Sequence, residues 1–428
     1  MNFLKRVICV LLALICLAGC AQVPVGESGQ AAAPDSPVVK LETTQQRRAA
    51  AEAAMREMMS ILWQVDQPLT YSFKVGSGDP LVDKASYVTT LEPGKIYAGL
   101  PYTHGSGDAV SFAEFGERMD NGVLRMSGLT QELISGSGGM SKENNIARIG
   151  NDCADAVYAA WTVVSCSVTF ANAANMTPKY GCIPVGEYKT VDAEKAQYGI
   201  TGDICKENGE EVMYASYAQL QIADGLSVNT KGGAHAMLVA QVHVVKDGDR
   251  IDPEESYVLV HEQTSSYFKK GETYYDETLG ADVYIMGGVD RKYTFQKLYK
   301  SGYLPVTCKE FIDETPLEAE TVTDSEAGRD MSVDTMFAGA LTCNYRIVSV
   351  TAEILDASGN VVQSAICNSG AGDRNVFLLS RFENPVEQRV LNGTVDLHQL
   401  PAGTYTFRLT CRISTGIRIT AREFTFTI

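Results

Sequence analysis

A mixed helix-and-strand (α+β) domain followed by an all-β sandwich is the fold that this 428-residue sequence predicts. Three observations carry it. The chain is too long for one ordinary core, so two folded domains and a tail are expected. Residues 67–311 mix helical and alternating stretches with Gly-rich turns, the pattern of an α+β fold. Residues 341–428 show short strands at regular spacing with turn chemistry between them, the pattern of a β-sandwich.

The elements follow in chain order. Lys5 and Arg6 form a short basic region, and residues 7–17 are an apolar run too short to span a bilayer comfortably. The run ends in Leu17-Ala18-Gly19-Cys20, which resembles the bacterial lipobox. That resemblance implies a signal peptide over 1–20, cleavage before Cys20, a lipid on its thiol and a mature chain anchored to the membrane outside the cytoplasm. Residues 21–45 are small, polar and Pro-containing, a flexible tether that cannot bury a core. Over 46–66 strong helix formers predominate, and Met55, Met58, Met59, Leu62 and Trp63 repeat at helical spacing. This is read as a helix docked on the domain that follows. Residues 312–340 turn acidic and poor in large apolar side chains, which marks a linker.

In the C-terminal segment, residues 346–355 and 360–366 read as strands around the turn Asp356-Ala357-Ser358-Gly359. Leu400-Pro401-Ala402-Gly403 leads into a strand over 404–410, and residues 417–428 close the chain. Tyr405 and Phe407 share one face of their strand and are expected in the core. The stretch LPAGTYTFRL resembles the penultimate hairpin of bacterial immunoglobulin-like surface modules, which implies an immunoglobulin-like sandwich.

Charge narrows the function. Lys and Arg total 36 against 52 Asp and Glu, a net charge of −16, which offers no footprint for nucleic acid and is repelled by anionic lipid. Any hold on a membrane must then be covalent or apolar. Cys153, Cys166, Cys182, Cys205, Cys308, Cys343, Cys367 and Cys411 follow the lipobox, an even number that invites disulfides in an exported protein, but spacing does not assign pairs. With no C-x-x-C pair and five His in all, a structural zinc site is not expected.

The strongest local signal is Gly150-Asn151-Asp152-Cys153-Ala154-Asp155-Ala156-Val157-Tyr158-Ala159-Ala160-Trp161. Ala154, Val157, Tyr158 and Trp161 fall on one helical face, and Asn151 or Asp152 suits the N-cap. Cys153 then stands in the first turn, where unpaired N–H groups and the helix dipole favour a thiolate, the placement of a cysteine nucleophile. A small apolar cysteine at a helix start is the plainer reading, and alone it would prevail. The later strand shifts the balance. Gly232-Gly233-Ala234 introduces His235 at the start of a strong β pattern through Val245, and a second strand over 257–260 runs into His261-Glu262-Gln263-Thr264. If the turn is Asp247-Gly248, residue 260 lies opposite His235; if 246–255 is all loop, residue 266 does. Both choices put even-numbered residues on the face of His235, favouring Glu262 as its partner over His261 or Gln263 unless a bulge intervenes. His243 lies eight residues from His235, about 26 Å along a strand, and cannot share its thiolate. His104 and His398 have no supporting pattern.

A Cys at a helix start, a His opening a strand and a polar residue on the next strand resemble the NlpC-type and CHAP peptidoglycan hydrolases, which are papain-like cysteine amidases and peptidases. Asp152-Cys153 is similar to the Asp-Cys of the NlpC-type motif, and His235-Ala236-Met237-Leu238-Val239 to its His strand. Glu262 is similar to the third residue of CHAP domains. Residues 97–102 are similar to the segment in which a Tyr, here Tyr102, lines the substrate cleft, and Gly202-Asp203 to a Gly-Asp turn before the His strand. Ala154 and Asp155 depart from the usual Ser-Gly, and residues 176–225 read as an insertion. The resemblance implies a papain-like fold over 67–311 and cleavage of an amide bond in peptidoglycan peptide stems, such as D-Glu to diaminopimelate. Cys153 would be the nucleophile, His235 the base, Glu262 or Gln263 the orienting residue, and Tyr102 and Asp152 substrate contacts. The alternative is a lipid-anchored surface binding protein with an inactive domain. A transglutaminase-like arrangement fits less well, because no His is followed by a well-placed Asp on the next strand.

Overall fold

The computed structural model describes residues 41–428 apart from 75–84, 103–111, 114, 117–118, 125–131, 137–149, 171, 177–179, 191–200, 231–232, 370–374 and 384–389. The basic region, the apolar run, Cys20, the tether as far as residue 40, and His104 lie outside the described residues.

Helix α1 (Thr44–Ser60) opens with a capping box in which Thr43 and Gln46 satisfy each other's backbone N–H groups. It stops short of the helix expected over 46–66. Ile61 leaves the helical region at ψ 128°, and Leu62–Val65 is a strand whose Trp63 and Val65 point inward. Period-two burial there outweighs the helical reading of Leu62 and Trp63.

A helix of this length is marginal alone, so docking must hold it. Met55, Met58 and Met59 are fully buried, each contributing about 1.5–3 kcal/mol. Two buried arginines add direction. Arg47 donates to the carbonyls of Glu310, Asp313 and Thr315. Arg48 donates to the carbonyl of Phe311 and pairs with Asp224 at 2.6 Å. Burial still lifts the Asp224 carboxyl above its ordinary value despite Arg48, so the pair fixes orientation more than it stabilises.

The sheet that receives this helix is antiparallel. Its strands are β1 (Cys182–Pro184), β2 (Gly225–Thr230), β3 (Gly233–His243), β4 (Tyr257–Gln263), β5 (Gly287–Thr294) and β6 (Leu304–Cys308), in the order β5-β4-β3-β2-β6-β1. Strand β3 divides two cores. Ala236 and Leu238 pack in the core of α1 and α2 (Cys153–Trp161). Met237 and Val239 pack in the core of α3 (Thr201–Tyr217) and α5 (Phe295–Ser301). The short α4 (Ser266–Lys270) follows β4. Gly202 and Asp203 lie in the first turn of α3 rather than in a turn before the His strand, and a Cβ on Gly302 would come within 2.7 Å of Gly202. Strands Leu62–Val65, Ile96–Ala98 and Ala281–Ile285 belong to a second six-stranded sheet.

The β3–β4 ladder realises neither expected register. The tight turn closes on Asp247 and Arg250, one residue beyond the expected Asp247-Gly248. The outer pairs run Gln241↔Leu259, Val242↔Val258 and His243↔Tyr257, a frame that would set odd-numbered residues opposite His235. A bulge between Val239 and Gln241 restores the even frame, so that Leu238 faces His261. Three residues further, the same frame points from His235 to residue 264. Glu262 therefore shares the row of His235 and Met237, as the sequence predicts, through a bulge at a place it does not reveal.

The C-terminal part is all-β. Val361–Asn368, Ile347–Leu355, Thr404–Ile413 and Arg418–Thr427 are neighbours in a five-stranded sheet. Val322–Asp324, Ala340–Cys343 and Val376–Leu378 form a three-stranded sheet. Leu341 and Phe377 of the smaller sheet share one core with Ile347, Val350 and Leu409 of the larger. Tyr405 and Phe407 face that core. The segment read as a linker is bound into it: Arg422 pairs with Asp324 at 2.6 Å and donates to the carbonyls of Met336 and Ala338. Ser414 Oγ donates to the Thr162 carbonyl at 2.6 Å, joining the sandwich to the end of α2. Among the described residues the eight cysteines from Cys153 to Cys411 form no disulfide.

Replacing Arg48 with Met would leave Asp224 buried without its cation. Unfolding in urea should show a loss of about 3–5 kcal/mol, well beyond what the lost packing of one side chain explains.

Candidate functional site

Cys153 is the first residue of α2, and the sequence around it explains why. Asp152 takes an extended backbone and its carboxylate accepts from the N–H groups of Ala154 and Asp155, both at 2.9 Å. Of the two candidate caps, Asp152 is the one used. The helix is then buried nearly all round, from Ala154 to Trp161, with the Trp161 indole donating to the Ala223 carbonyl. Cys153 is 7% exposed.

The loop before the helix is held by paired backbone. Tyr102 bridges to Asn151, and the Asn151 N–H donates to the Pro101 carbonyl at 3.2 Å. Burial raises the Tyr102 phenol, and the neighbouring Cys153 and Asp152 charges raise it further, which places this ring beside the thiol. Gln263 explains the position of the loop. Its side-chain amide donates to the Leu100 carbonyl at 2.6 Å, so it secures residues 100–102 rather than orienting an imidazole.

Glu262 meets His235. Imidazole Nε2 and carboxylate Oε2 are 2.7 Å apart, with 21% of the His235 side chain and 4% of the Glu262 side chain exposed. Burial alone would lower the His235 pKa; its contacts with Cys153 and Glu262 overcome this and push it up to about 10. Burial likewise opposes the Glu262 charge, yet His235, Tyr267 and Tyr293 together hold the carboxyl below its ordinary value. The structure thus brings together Cys153, His235 and Glu262 in the order that the sequence predicts.

The neighbouring histidines are engaged elsewhere. His261, one residue from Glu262, points to the opposite side of the sheet. There its Nε2 lies 2.8 Å from Glu52 of α1, and its Nδ1 accepts from the Asp290 N–H. His243 lies against Tyr257 with ring centroids 4.8 Å apart and the planes tilted by 30°. Three participants are not visible in the sequence: Glu52, Tyr267 and Tyr293. Their contacts span 209, 5 and 31 residues, and no local motif encodes them.

No protein family matches the chain, and no curated protein does. Among solved structures, one match is the crystal structure of a tetra-tandem repeat in the extending region of a large adhesion protein. The identity is 13% over 48% of this chain and 42% of that chain, with a TM-score of 0.17. The match spans less than half of that chain, and a likeness this slight carries no argument about fold or function.

What the site offers chemically is a cysteine sulfur at a helix start, an imidazole of raised pKa beside it and a buried carboxylate behind the imidazole. The stability that protonated His235 contributes is complete below its ordinary value of 6.5 and is lost as pH rises through about 10. That from Glu262 is complete above the ordinary carboxylate value of 4.5 and is lost as pH falls through its lowered native value. Urea unfolding of the parent and of Glu262→Gln across pH should therefore differ most between about 4.5 and 6.5, converging toward both extremes.

Proposed function

We propose that this chain is a cysteine-dependent peptidoglycan hydrolase with a papain-like domain, held outside the cytoplasm by a lipid on Cys20, and that its sandwich is an immunoglobulin-like module. The observation that carries the reading is the convergence on His235 of Cys153 from a helix start and Glu262 from the adjacent strand. The antiparallel sheet behind the Cys153 helix supports it further.

The mechanism follows from these positions. With its proton held on His235, the Cys153 sulfur attacks the carbonyl carbon of an amide in a wall peptide stem, and the Cys153 backbone N–H receives the oxyanion, those of Ala154 and Asp155 being taken by Asp152. As the C–N bond breaks, His235 gives its proton to the departing nitrogen, leaving a thioester. Water then attacks the thioester, His235 takes its proton, and the thiolate leaves. Glu262 keeps the imidazole oriented and its charge compensated throughout. Tyr102 and Asp152 border the thiol and contact the substrate. Every step uses side chains of this chain, and none requires an organic cofactor.

The soluble chain beginning after Cys20 should release muropeptide fragments from purified peptidoglycan, identified by mass spectrometry, while Cys153→Ala releases none. His235→Ala should lower the rate by about 100-fold or more. Fragments from both parent and Cys153→Ala would place the chemistry elsewhere. Silence from the parent across several wall types would favour the lipid-anchored binding protein.

A further inference from the structure

The carboxylate of Glu262 has three partners, and the Cys153–His235–Glu262 reading uses only one. Beyond His235, the Tyr267 hydroxyl donates to Oε1, and the Tyr293 hydroxyl lies 3.0 Å from Oε1 and 3.2 Å from Oε2. An ionised carboxylate only accepts, so each phenol must donate. A protonated Glu262 would bring a fourth hydrogen into a space already holding three donors.

The space for Tyr267 is built into the sheet. Gly288 of β5 is the residue directly opposite Glu262. A Cβ at Gly288 would lie 2.6 Å from Tyr267 Cε2 and 2.7 Å from its hydroxyl oxygen. The missing side chain is the slot through which the ring reaches the carboxylate. The Arg291 guanidinium covers the other side of the ring, 4.0 Å from its centroid, and is itself paired with Glu272 at 3.0 Å. Tyr293 stands on the same strand as Gly288, with the Lys297 ammonium 4.0 Å from its ring centroid. Two rings from different elements therefore converge on one buried oxygen pair.

We propose that Tyr267 and Tyr293 are positioning residues for His235: with Gly288 providing the slot, their hydroxyls hold the Glu262 carboxylate ionised and fixed in direction against the imidazole. The inference deepens the reading of Cys153, His235 and Glu262 as one site, and its test does not need a substrate. The groups that bear on the imidazole are Cys153 from α2, Glu262 from β4, Tyr267 from α4, Tyr293 and Arg291 from β5, and Tyr303 before β6. Only the two phenols bonded to Glu262 are removed here.

The measurement is the titration midpoint of the His235 ring by NMR in the parent, Tyr267→Phe, Tyr293→Phe, the double variant, Gly288→Ala and Glu262→Gln. Each Tyr→Phe change should lower the midpoint, and the double variant should approach Glu262→Gln, a fall of at least about 1 pH unit. Gly288→Ala should reproduce Tyr267→Phe while both hydroxyls remain in the chain. Midpoints equal to the parent in folded single variants, with Glu262→Gln lowered, would overturn the proposal, since packing alone would alter unfolding but not this titration. If the double variant does not fold, the single variants and Gly288→Ala decide. Absence of hydrolysis with the shifts intact would count against the peptidoglycan reading alone.

Discussion

The Glu262 carboxylate is a charge in the interior of a sheet, and a charge so placed must be fully bonded or surrender its proton. Much of the local architecture answers that demand. The His235 ring gives one hydrogen bond and a positive charge, and Tyr267 and Tyr293 give two more hydrogen bonds. Gly288 makes room, and on the site's side of the bulge in β3 the row of β4 that carries Glu262 faces the imidazole. Removing the charge rather than its partners would relax all of these requirements together, so the constellation is organised around one ionised carboxylate.

The same strand serves the second half of the site. Neighbouring residues of β4 point to opposite sides, and each has a separate duty. Glu262 faces the imidazole, Gln263 fixes the loop before Cys153, and His261 secures α1 through Glu52. Helix α1 in turn lies against α2 in one core, with Met58 accepting a weak contact from the Asn151 amide at 3.5 Å. The thiol and the imidazole come from elements far apart in sequence, and β4 with α1 is the framework that keeps their spacing.

Much of this was legible in the sequence where local chemistry is strong. Asp152 before a run of helix formers identifies a cap and hence the place of Cys153, and the β pattern after Gly233 locates His235. Alternation alone pointed to Glu262. It did so although the ladder shifts frame at Ala240, because the frame of the outer pairs was also off by one and the two differences cancel. The end of α1 was misjudged because Leu62 and Trp63 fit a helical stripe as well as a strand, and only pairing with Ala98 and Tyr97 decides between them. Tyr267, Tyr293 and Glu52 were out of reach for a different reason: a side chain that turns back on one carboxylate or imidazole, whether 5 or 209 residues away, leaves no periodic trace. The burial of Arg47 and Arg48 was out of reach as well, because the Glu310 and Phe311 carbonyls that they bond lie 263 residues away.

The bulge in β3 also governs how this molecule can change over evolutionary time. Ala240 is the extra residue of β3, because Gln241 pairs with Leu259 and Val239 with the next residue, Val260. Loss of Ala240, or gain of one residue opposite it in β4, would close the ladder and still leave Glu262 in the row of His235 and Met237. The hairpin therefore carries one residue of slack beside its buried charge, and its length can vary there without turning the carboxylate away from the imidazole.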